Sequence, residues 1–154
     1  MYKKILVPLD GSELAECVLQ HVATLIKGGG VTDVIFVRVV EPFRPPVVAD
    51  YIFAPEQVTK IETELKNAAQ DYLAQLGKKV KFDGVRVSLQ MLYGNTAESL
   101  AEYAAKAGAD LIVIATHGRS GVSRWVWGSV ADRILRSSCV PVFMVRTPGC
   151  VPGL

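Results

Sequence analysis

Residues 115–129 carry the residue types best suited to binding a phosphorylated ligand. Gly118 and Gly121 allow a backbone with positive φ and a close approach to a ligand. Gly128 and Ser129 then open a predicted helix, and the free N–H groups at a helix start bind anions such as phosphate. From spacing alone, a phosphate site and a purely structural junction between a loop and a helix fit equally well.

A helix start by itself binds phosphate weakly. It contributes about 0.3–1 kcal/mol per charge, or ~2 kcal/mol when partly buried, whereas micromolar affinity requires roughly 8 kcal/mol. Several backbone N–H groups and contacts to the rest of the ligand must therefore contribute. Ser129 and Asp132 form an S-x-x-D capping pattern, and Asp132 would repel a phosphate that it faced. We therefore expect Asp132 to point back toward the helix cap.

A second candidate segment, Asp10-Gly11-Ser12, follows the first apolar run of the chain. It is not G-x-G-x-x-G, which argues against a dinucleotide-binding dehydrogenase, and the chain contains no G-x-x-x-x-G-K-[ST] motif of P-loop NTPases. A response regulator would need an acidic residue where Leu92-Tyr93-Gly94 stands and a lysine near Arg146. The common nucleotide and phosphotransfer motifs are therefore excluded.

Five short apolar runs predict β-strands that would position these two segments. They are brief, mostly β-branched and flanked by Gly, Pro or Asp, and they are Ile5–Pro8, Val34–Val40, Val85–Leu92, Leu111–Ala115 and Val142–Val145. The fourth run is continuously apolar, as in a parallel strand covered on both faces. The third alternates with polar residues, which suggests a strand nearer the edge of a sheet.

Helical patterns lie between the apolar runs. The first helix is predicted from a cap at Ser12 to Gly28, with an apolar stripe of Leu14, Val18, Val22 and Leu25. The others are predicted at about Glu56–Leu76, Thr96–Ala107 and from Gly128 to Ser137–Ser138. This alternation predicts a single doubly wound, five-stranded parallel sheet with helices on both faces, a Rossmann-like α/β fold. We expect one domain over residues 1–147 and a tail over residues 148–154. The irregular connection from Glu41 to Tyr51 fits a binding loop and a solvated excursion equally well.

Composition excludes several classes of protein. The 154 residues are 50% hydrophobic with a net charge of +2, and the basic residues are scattered, so nucleic acid is not an expected partner. The apolar run after Lys3 and Lys4 is too short for a signal peptide, and no run approaches membrane-spanning length. Three cysteines without a CxxC motif fit a reducing cytosol, with Cys17 and Cys139 as small buried side chains. The sequence therefore predicts a cytoplasmic protein without membrane contact.

Motifs along nearly the whole chain resemble those of universal stress proteins. They occur in the family's order at Lys4–Ser12, Gly94–Leu100, Thr116–Gly121, Gly128–Ile134 and Cys139–Val142. ATP-binding members carry G-x2-G-x9-G-[ST]. Here Gly118, Gly128 and Ser129 occupy the later positions of that motif, while Ala115 replaces its first glycine and adds one methyl group.

The resemblance implies an adenine-nucleotide site, with ATP as the ligand. The residues implied to line the adenosine and ribose are Pro8, Leu9, Asp10, Val39, Ala115, Thr116 and His117. Those implied to meet the phosphates are Gly118, Arg119, Gly128, Ser129 and Val130, with Arg124 a weaker candidate. Asp10 could hold a ribose hydroxyl or a Mg²⁺ ion, or only cap the first turn.

The resemblance also implies a homodimer through the last strand, which would be an apolar edge strand. Trp125 and Trp127 stand where the family suggests aliphatic residues, and nucleotide cover, a subunit contact and core packing remain open for them. The favoured interpretation is a regulatory ATP-binding protein of the stress response with little or no hydrolysis, and not an enzyme. The alternatives are a weak ATPase or self-phosphorylating enzyme and a nucleotide-free dimerisation module.

Overall fold

In the computed structural model, residues 1–46, 53–116 and 129–146 are described, and strands and helices alternate along them. The strands are β1 (Lys4–Pro8), β2 (Asp33–Val40), β3 (Arg86–Tyr93), β4 (Leu111–Ala115) and β5 (Val142–Val145). The helices are α1 (Glu13–Glu16), α2 (Val18–Lys27), α3 (Pro55–Lys79), α4 (Thr96–Lys106) and α5 (Ser129–Ser137). All five predicted strands are confirmed, each to within one residue at either end.

The five strands form one parallel sheet in the order β3-β2-β1-β4-β5. The chain builds outward from β1 through β2 to β3 and then crosses to β4 on the other side of β1. The doubly wound arrangement is therefore confirmed, and the strand order reverses between β1 and β4. The alternating strand β3 lies at one edge, as its pattern predicts, and β5 lies at the other.

Side chains of the central strands alternate between two hydrophobic layers. Ile5 and Val7 of β1 pack with α1, α2 and α3 on one face, together with the fully buried Phe36 of β2. Leu6 of β1 packs with α4 and α5 on the other face, where Ile134 of α5 is also fully buried. Helices thus cover both faces, which is why β4 is apolar at every position.

The first predicted helix is divided into α1 and α2, and its predicted apolar stripe is partly wrong. Ser12 does cap it, because its Oγ accepts a hydrogen bond from Ala15 N at 3.1 Å. The Cys17 N–H then bonds to Leu14 O at 3.3 Å, a tighter i−3 bond that ends α1 after one turn. The helix is reset there, so Ala15 and Val18 face the sheet while Leu14 is 41% exposed.

The two described cysteines differ in burial. Cys17 is half-buried, and burial raises the pKa of its thiol. The prediction that Cys139 is buried is wrong, because Cys139 lies in the turn between α5 and β5 and is exposed.

The connection between β2 and α3 is tied at both of its ends. Phe43 N donates a hydrogen bond to Glu62 Oε1 of α3 at 3.2 Å. The Phe43 ring also meets Phe53 edge to face, with the ring centroids 5.6 Å apart. The chain on either side of residues 44–52 is therefore brought together at one aromatic contact. Within the described ranges, no helix has both the length and the apolarity needed to cross a membrane.

Candidate functional site

The sheet opens at the carboxyl ends of its two central strands. β1 and β4 pair only at Ile5 with Leu111 and at Leu6 with Ile112. Beyond that point each strand continues with its outer neighbour: Leu9 N donates to Val37 O at 2.9 Å, and Thr116 N donates to Val145 O at 2.9 Å. Because strand order reverses between these strands, the opening is the place where a doubly wound sheet binds ligands.

Asp10 stands at one wall of this opening, in the turn after β1. Its Oδ1 accepts hydrogen bonds from Ser12 N at 2.9 Å and from Ser12 Oγ at 2.6 Å. Ser12 Oγ in turn accepts from Ala15 N, so the turn and the start of α1 form one hydrogen-bonded unit. Ser12 rather than Asp10 is the N-cap of α1, and Asp10 orders the turn before it. The ribose or Mg²⁺ role of Asp10 stays a prediction. The described parts of the chain contain no group of three or more metal-ligating side chains.

The predicted contact residues divide between the two faces of the sheet. Val39 packs in the α4–α5 layer, and the half-buried Val130 packs against the same layer. The side chain of Leu9 is buried in the opposite layer, and that of Ala115 packs against it. Leu9 and Ala115 therefore offer the opening mainly their backbone. Thr116, the first residue beyond β4, is 5% exposed.

Several predicted contacts lie outside the described residues. These are His117, Gly118, Arg119 and Gly128, together with the further candidates Arg124, Trp125 and Trp127. Ser129 is the first residue of α5, so the predicted helix start is confirmed.

The orientation predicted for Asp132 is wrong. Its carboxylate pairs with Arg136 one turn further along α5, with Nε 3.0 Å from Oδ2 and 3.2 Å from Oδ1. An acidic residue four positions before a basic one on a helix forms a favourable pair. This pairing directs the Asp132 charge along α5 rather than back toward the helix start.

Three residues near the opening were not predicted from the sequence: Arg38 of β2, Tyr72 of α3 and Glu16 of α1. A Cβ placed on Gly11 would lie 3.9 Å from Arg38 Cζ and 3.9 Å from Tyr72 Cδ2. Tyr72 Oη donates to Glu16 Oε1 at 3.1 Å. The sequence feature that could have indicated this group is Arg38, a charged residue within the otherwise apolar run from Val34 to Val40.

The segment after β2 is fastened to the start of α4. Glu41 Oε1 accepts hydrogen bonds from Thr96 Oγ1 at 2.7 Å and from Thr96 N at 3.0 Å, and these bonds lower the pKa of the Glu41 carboxyl. Asn95 caps α4 through a bond from Glu98 N at 3.3 Å, and Gly94 N donates to Val40 O at 3.0 Å. The motif that begins at Gly94 therefore joins β2, β3 and α4.

A doubly wound parallel sheet that opens between its central strands, with a hydrogen-bonded acidic turn on one side and a helix start on the other, defines a Rossmann-like α/β domain. The chain belongs to the universal stress protein family, which it matches over residues 1–146. The resemblance in its motifs is thereby confirmed.

Curated relatives support the assignment over the full chain. The universal stress protein MJ0531 of Methanocaldococcus jannaschii is 32% identical over 150 residues, covering 96% of this chain and 84% of that protein. MJ0577 of the same organism is 29% identical over 158 residues, covering 95% and 96%.

Solved structures agree with the fold. The structure of MJ0577 has a TM-score of 0.78 at 28% identity and covers 97% of this chain and 99% of its own. Universal stress protein UspA from Lactobacillus plantarum has a TM-score of 0.77 at 18% identity, covering 94% and 98%.

Proposed function

We propose that the protein binds an adenine nucleotide, with ATP as the main ligand, at the opening between β1 and β4, and that it acts as a regulatory member of its family with little or no hydrolysis. One observation carries this proposal: the two central strands stop pairing after Leu6 and Ile112, while the neighbouring strands continue. The sheet is thereby opened at its switch point, on the edge where α5 begins.

The chemistry around the opening suits a nucleotide better than a simple anion. Val39 and Val130 supply an apolar wall for a base. Asp10 supplies an acceptor for a ribose hydroxyl, and the N-terminus of α5 at Ser129 supplies N–H groups for phosphate. The motif glycines Gly118 and Gly128 supply the backbone freedom that close approach requires.

Proteins of the same fold offer a parallel. A universal stress protein solved in complex with cAMP has a TM-score of 0.67 at 20% identity. An Arabidopsis thaliana family member solved with AMP bound has a TM-score of 0.63 at 13% identity. At these identities the likeness speaks for the fold, so the ligand is inferred here from this chain's own residues.

The hydrogen bonds of Asp10 support an orienting role in binding. Its Oδ1 accepts two hydrogen bonds from Ser12. These bonds hold the carboxylate in one orientation, as a group that orients a ligand requires. Asp10 is therefore assigned to orienting the ligand.

The homodimer is proposed through β5, which ends the sheet on one side. Phe143 of this strand is 42% exposed, and its ring centroid lies 6.0 Å from that of His21 on α2. An exposed apolar edge strand is a template for pairing with a second strand. A second copy of β5 would satisfy the edge symmetrically, as in the common two-fold dimers.

The direct test is to denature the purified protein and identify the released small molecule by mass spectrometry, followed by calorimetry with ATP, AMP, cAMP and GTP. Released ATP, with the tightest binding to ATP, is the expected result. ADP with measurable turnover would replace the proposal by a slow ATPase or a self-phosphorylating enzyme. Absence of nucleotide and of binding heat would leave a dimerisation module.

A paired variant locates the site. Gly118→Val combined with Gly128→Val should abolish ATP binding while the circular dichroism spectrum and dimer mass stay unchanged. Gly28→Val is the control, because Gly28 has an ordinary φ of −66° at the end of α2. It lies shortly before the amino end of β2, whereas the proposed site lies at the carboxyl ends of the strands. Unchanged ATP affinity in the double variant would refute the assigned site.

A further inference from the structure

The turn after β1 is supported from behind by side chains of β2 and α3. Gly11 has a φ of +82°, which favours glycine. A Cβ at Gly11 would contact both Arg38 Cζ and Tyr72 Cδ2 at 3.9 Å. The guanidinium and the phenol ring therefore flank the space beside Gly11 that a side chain at this position would enter.

Arg38 reaches this position from the face of the sheet opposite Val39. Neighbouring residues of a strand point to opposite faces. Phe36 packs in the α1–α3 layer, whereas Val37 and Val39 pack in the α4–α5 layer. The half-buried Arg38 thus projects into the α1–α3 layer. One dipeptide of β2 places an apolar wall on the ligand side of the strand end and a cation on the other side.

Acidic and basic side chains both lie near Tyr72, the ring beside Arg38. Tyr72 Oη is bonded to Glu16 Oε1, and Lys79 Nζ lies 3.1 Å from Glu16 Oε2. The pKa of Tyr72 is raised first by burial and then by the Glu16 charge and hydrogen bond. The negative charge of Asp10 raises it further, while the positive charge of Arg38 lowers it. Asp10 and Arg38 are thus near enough to act on the same hydroxyl, and Arg38 offsets the acidic charges on both sides.

We propose that Arg38 is a positioning residue for the nucleotide site: lying beside Gly11 together with the Tyr72 ring, it fixes the Asp10–Gly11 turn so that the Asp10 carboxylate is held toward the opening between β1 and β4. The role of Arg38 in nucleotide binding rests on the proposed function, whereas its effect on the turn does not. Arg38 acts through Asp10 and makes no contact with the ligand itself.

The geometry is tested first on the ligand-free protein by NMR. In Arg38→Met the cation is lost while the aliphatic stem is kept. The carboxyl carbon resonance of Asp10 should shift, because a cation that lies near the turn has been removed. The Gly11 amide resonance should shift, and Arg38→Lys should restore part of both effects.

Arg86→Met is the matched control for this measurement. Arg86 also lies on a strand and pairs with an acidic residue, since its Nη1 is 3.3 Å from Asp33 Oδ1, but that pair lies at the amino end of the sheet. It should leave Asp10 and Gly11 unchanged. Resonances of the Asp10 carboxyl and the Gly11 amide in Arg38→Met that equal those of the wild type would overturn the proposal.

A double-mutant cycle then tests whether Arg38 acts through Asp10. Arg38→Met should weaken ATP binding roughly tenfold, the scale of one charge-assisted hydrogen bond. In an Asp10→Asn background the same change should have little effect. An equal loss in both backgrounds would overturn the proposal, and thermal unfolding confirms that each variant is folded. If the wild type bound no adenine nucleotide, the proposed function would fail, and the NMR measurement alone would decide the role of Arg38.

Discussion

Tyr72 has a hydroxyl whose surroundings oppose ionisation. Burial, the Glu16 carboxylate and the Asp10 charge together raise its pKa above the ordinary value of 10.0. The unfolded chain therefore loses this proton first as the pH rises. The contribution to stability is complete below pH 10 and declines above it.

Tyr72→Phe should remove this part of the pH dependence. At pH 8 the variant loses one hydrogen bond, about 0.5–1.5 kcal/mol, because Glu16 keeps Lys79 as a partner. Between pH 9.5 and pH 11 the difference in unfolding free energy between wild type and variant should become smaller. Urea unfolding at each pH measures the two free energies, with Tyr103→Phe on α4 as the control. A difference that stays constant or increases through this range would contradict the assigned surroundings of Tyr72.

At the residue scale, sequence reasoning succeeds for roles that depend on close neighbours and fails for those set by packing. The cap at Ser12 was predicted because its partner, Ala15 N, lies three residues away. Arg38 and Tyr72 meet at the first turn from two distant elements, which no local pattern records. Cys139 was placed in the core from its residue type, although its position in a turn exposes it.

The end of β2 is held to the start of α4 by one carboxylate, that of Glu41. The two bonds from Thr96 lower the Glu41 pKa below its ordinary value of 4.5, with smaller contributions from Arg44 and Arg133. A lowered folded-state pKa contributes stability above the unfolded value, and this stability is lost as the pH falls through the folded value.

Glu41→Gln keeps the acceptor and removes the charge. At pH 7 it should cost roughly 0.5 kcal/mol, a small value because Glu41 is exposed and screened by water. From pH 5 downward the two proteins should converge in stability. Denaturant titrations at pH 7 and pH 3 test this, with Glu102→Gln on α4 as the control. A cost that is the same at both pH values would show that the charge contributes nothing to the junction.

At the element scale, the strands were predicted well because a strand buried on both faces reads as a continuous apolar run. The region between Ser12 and Gly28 was predicted less well. Its apolar spacing is that of one helix, but the tighter bond from Cys17 N to Leu14 O rotates the first turn against the rest. Which apolar residue then faces the sheet is decided by packing on β1 and β4, and so it cannot be read from periodicity.

The dimer proposed for the whole molecule depends on the outer edge of β5. Pro141 and Val145 carbonyls bond to β4, through Ile112 N and Thr116 N. Backbone groups of alternate strand residues point to opposite sides, so the N–H of Met144 points to the outer edge.

Met144→Pro should therefore remove one donor from the outer edge while leaving the β4 ladder intact. The expected result is a monomer by light scattering, with a largely unchanged circular dichroism spectrum. Met144→Leu keeps the N–H and should remain dimeric. A Met144→Pro protein that is folded and still dimeric would place the subunit contact elsewhere.

Ligand binding should stabilise the whole molecule. ATP at about one hundred times its Kd should contribute about 2.7 kcal/mol. For a chain of this size that raises the Tm by about 5–10 °C. Differential scanning fluorimetry with ATP, and with GTP at the same concentration, measures the change in Tm. The Gly118→Val and Gly128→Val double variant should show no change in Tm with ATP. Equal shifts with ATP and GTP would contradict recognition of adenine.

The edge-to-face contact of Phe43 and Phe53 has a consequence for engineering and for sequence divergence. The two rings bring the residues on either side of 44–52 into contact. The entropic cost of closing a chain segment grows slowly with its length, by only about 0.6 kcal/mol for each doubling. An epitope tag or reporter peptide inserted between the two aromatic residues should therefore reduce the free energy of unfolding only slightly.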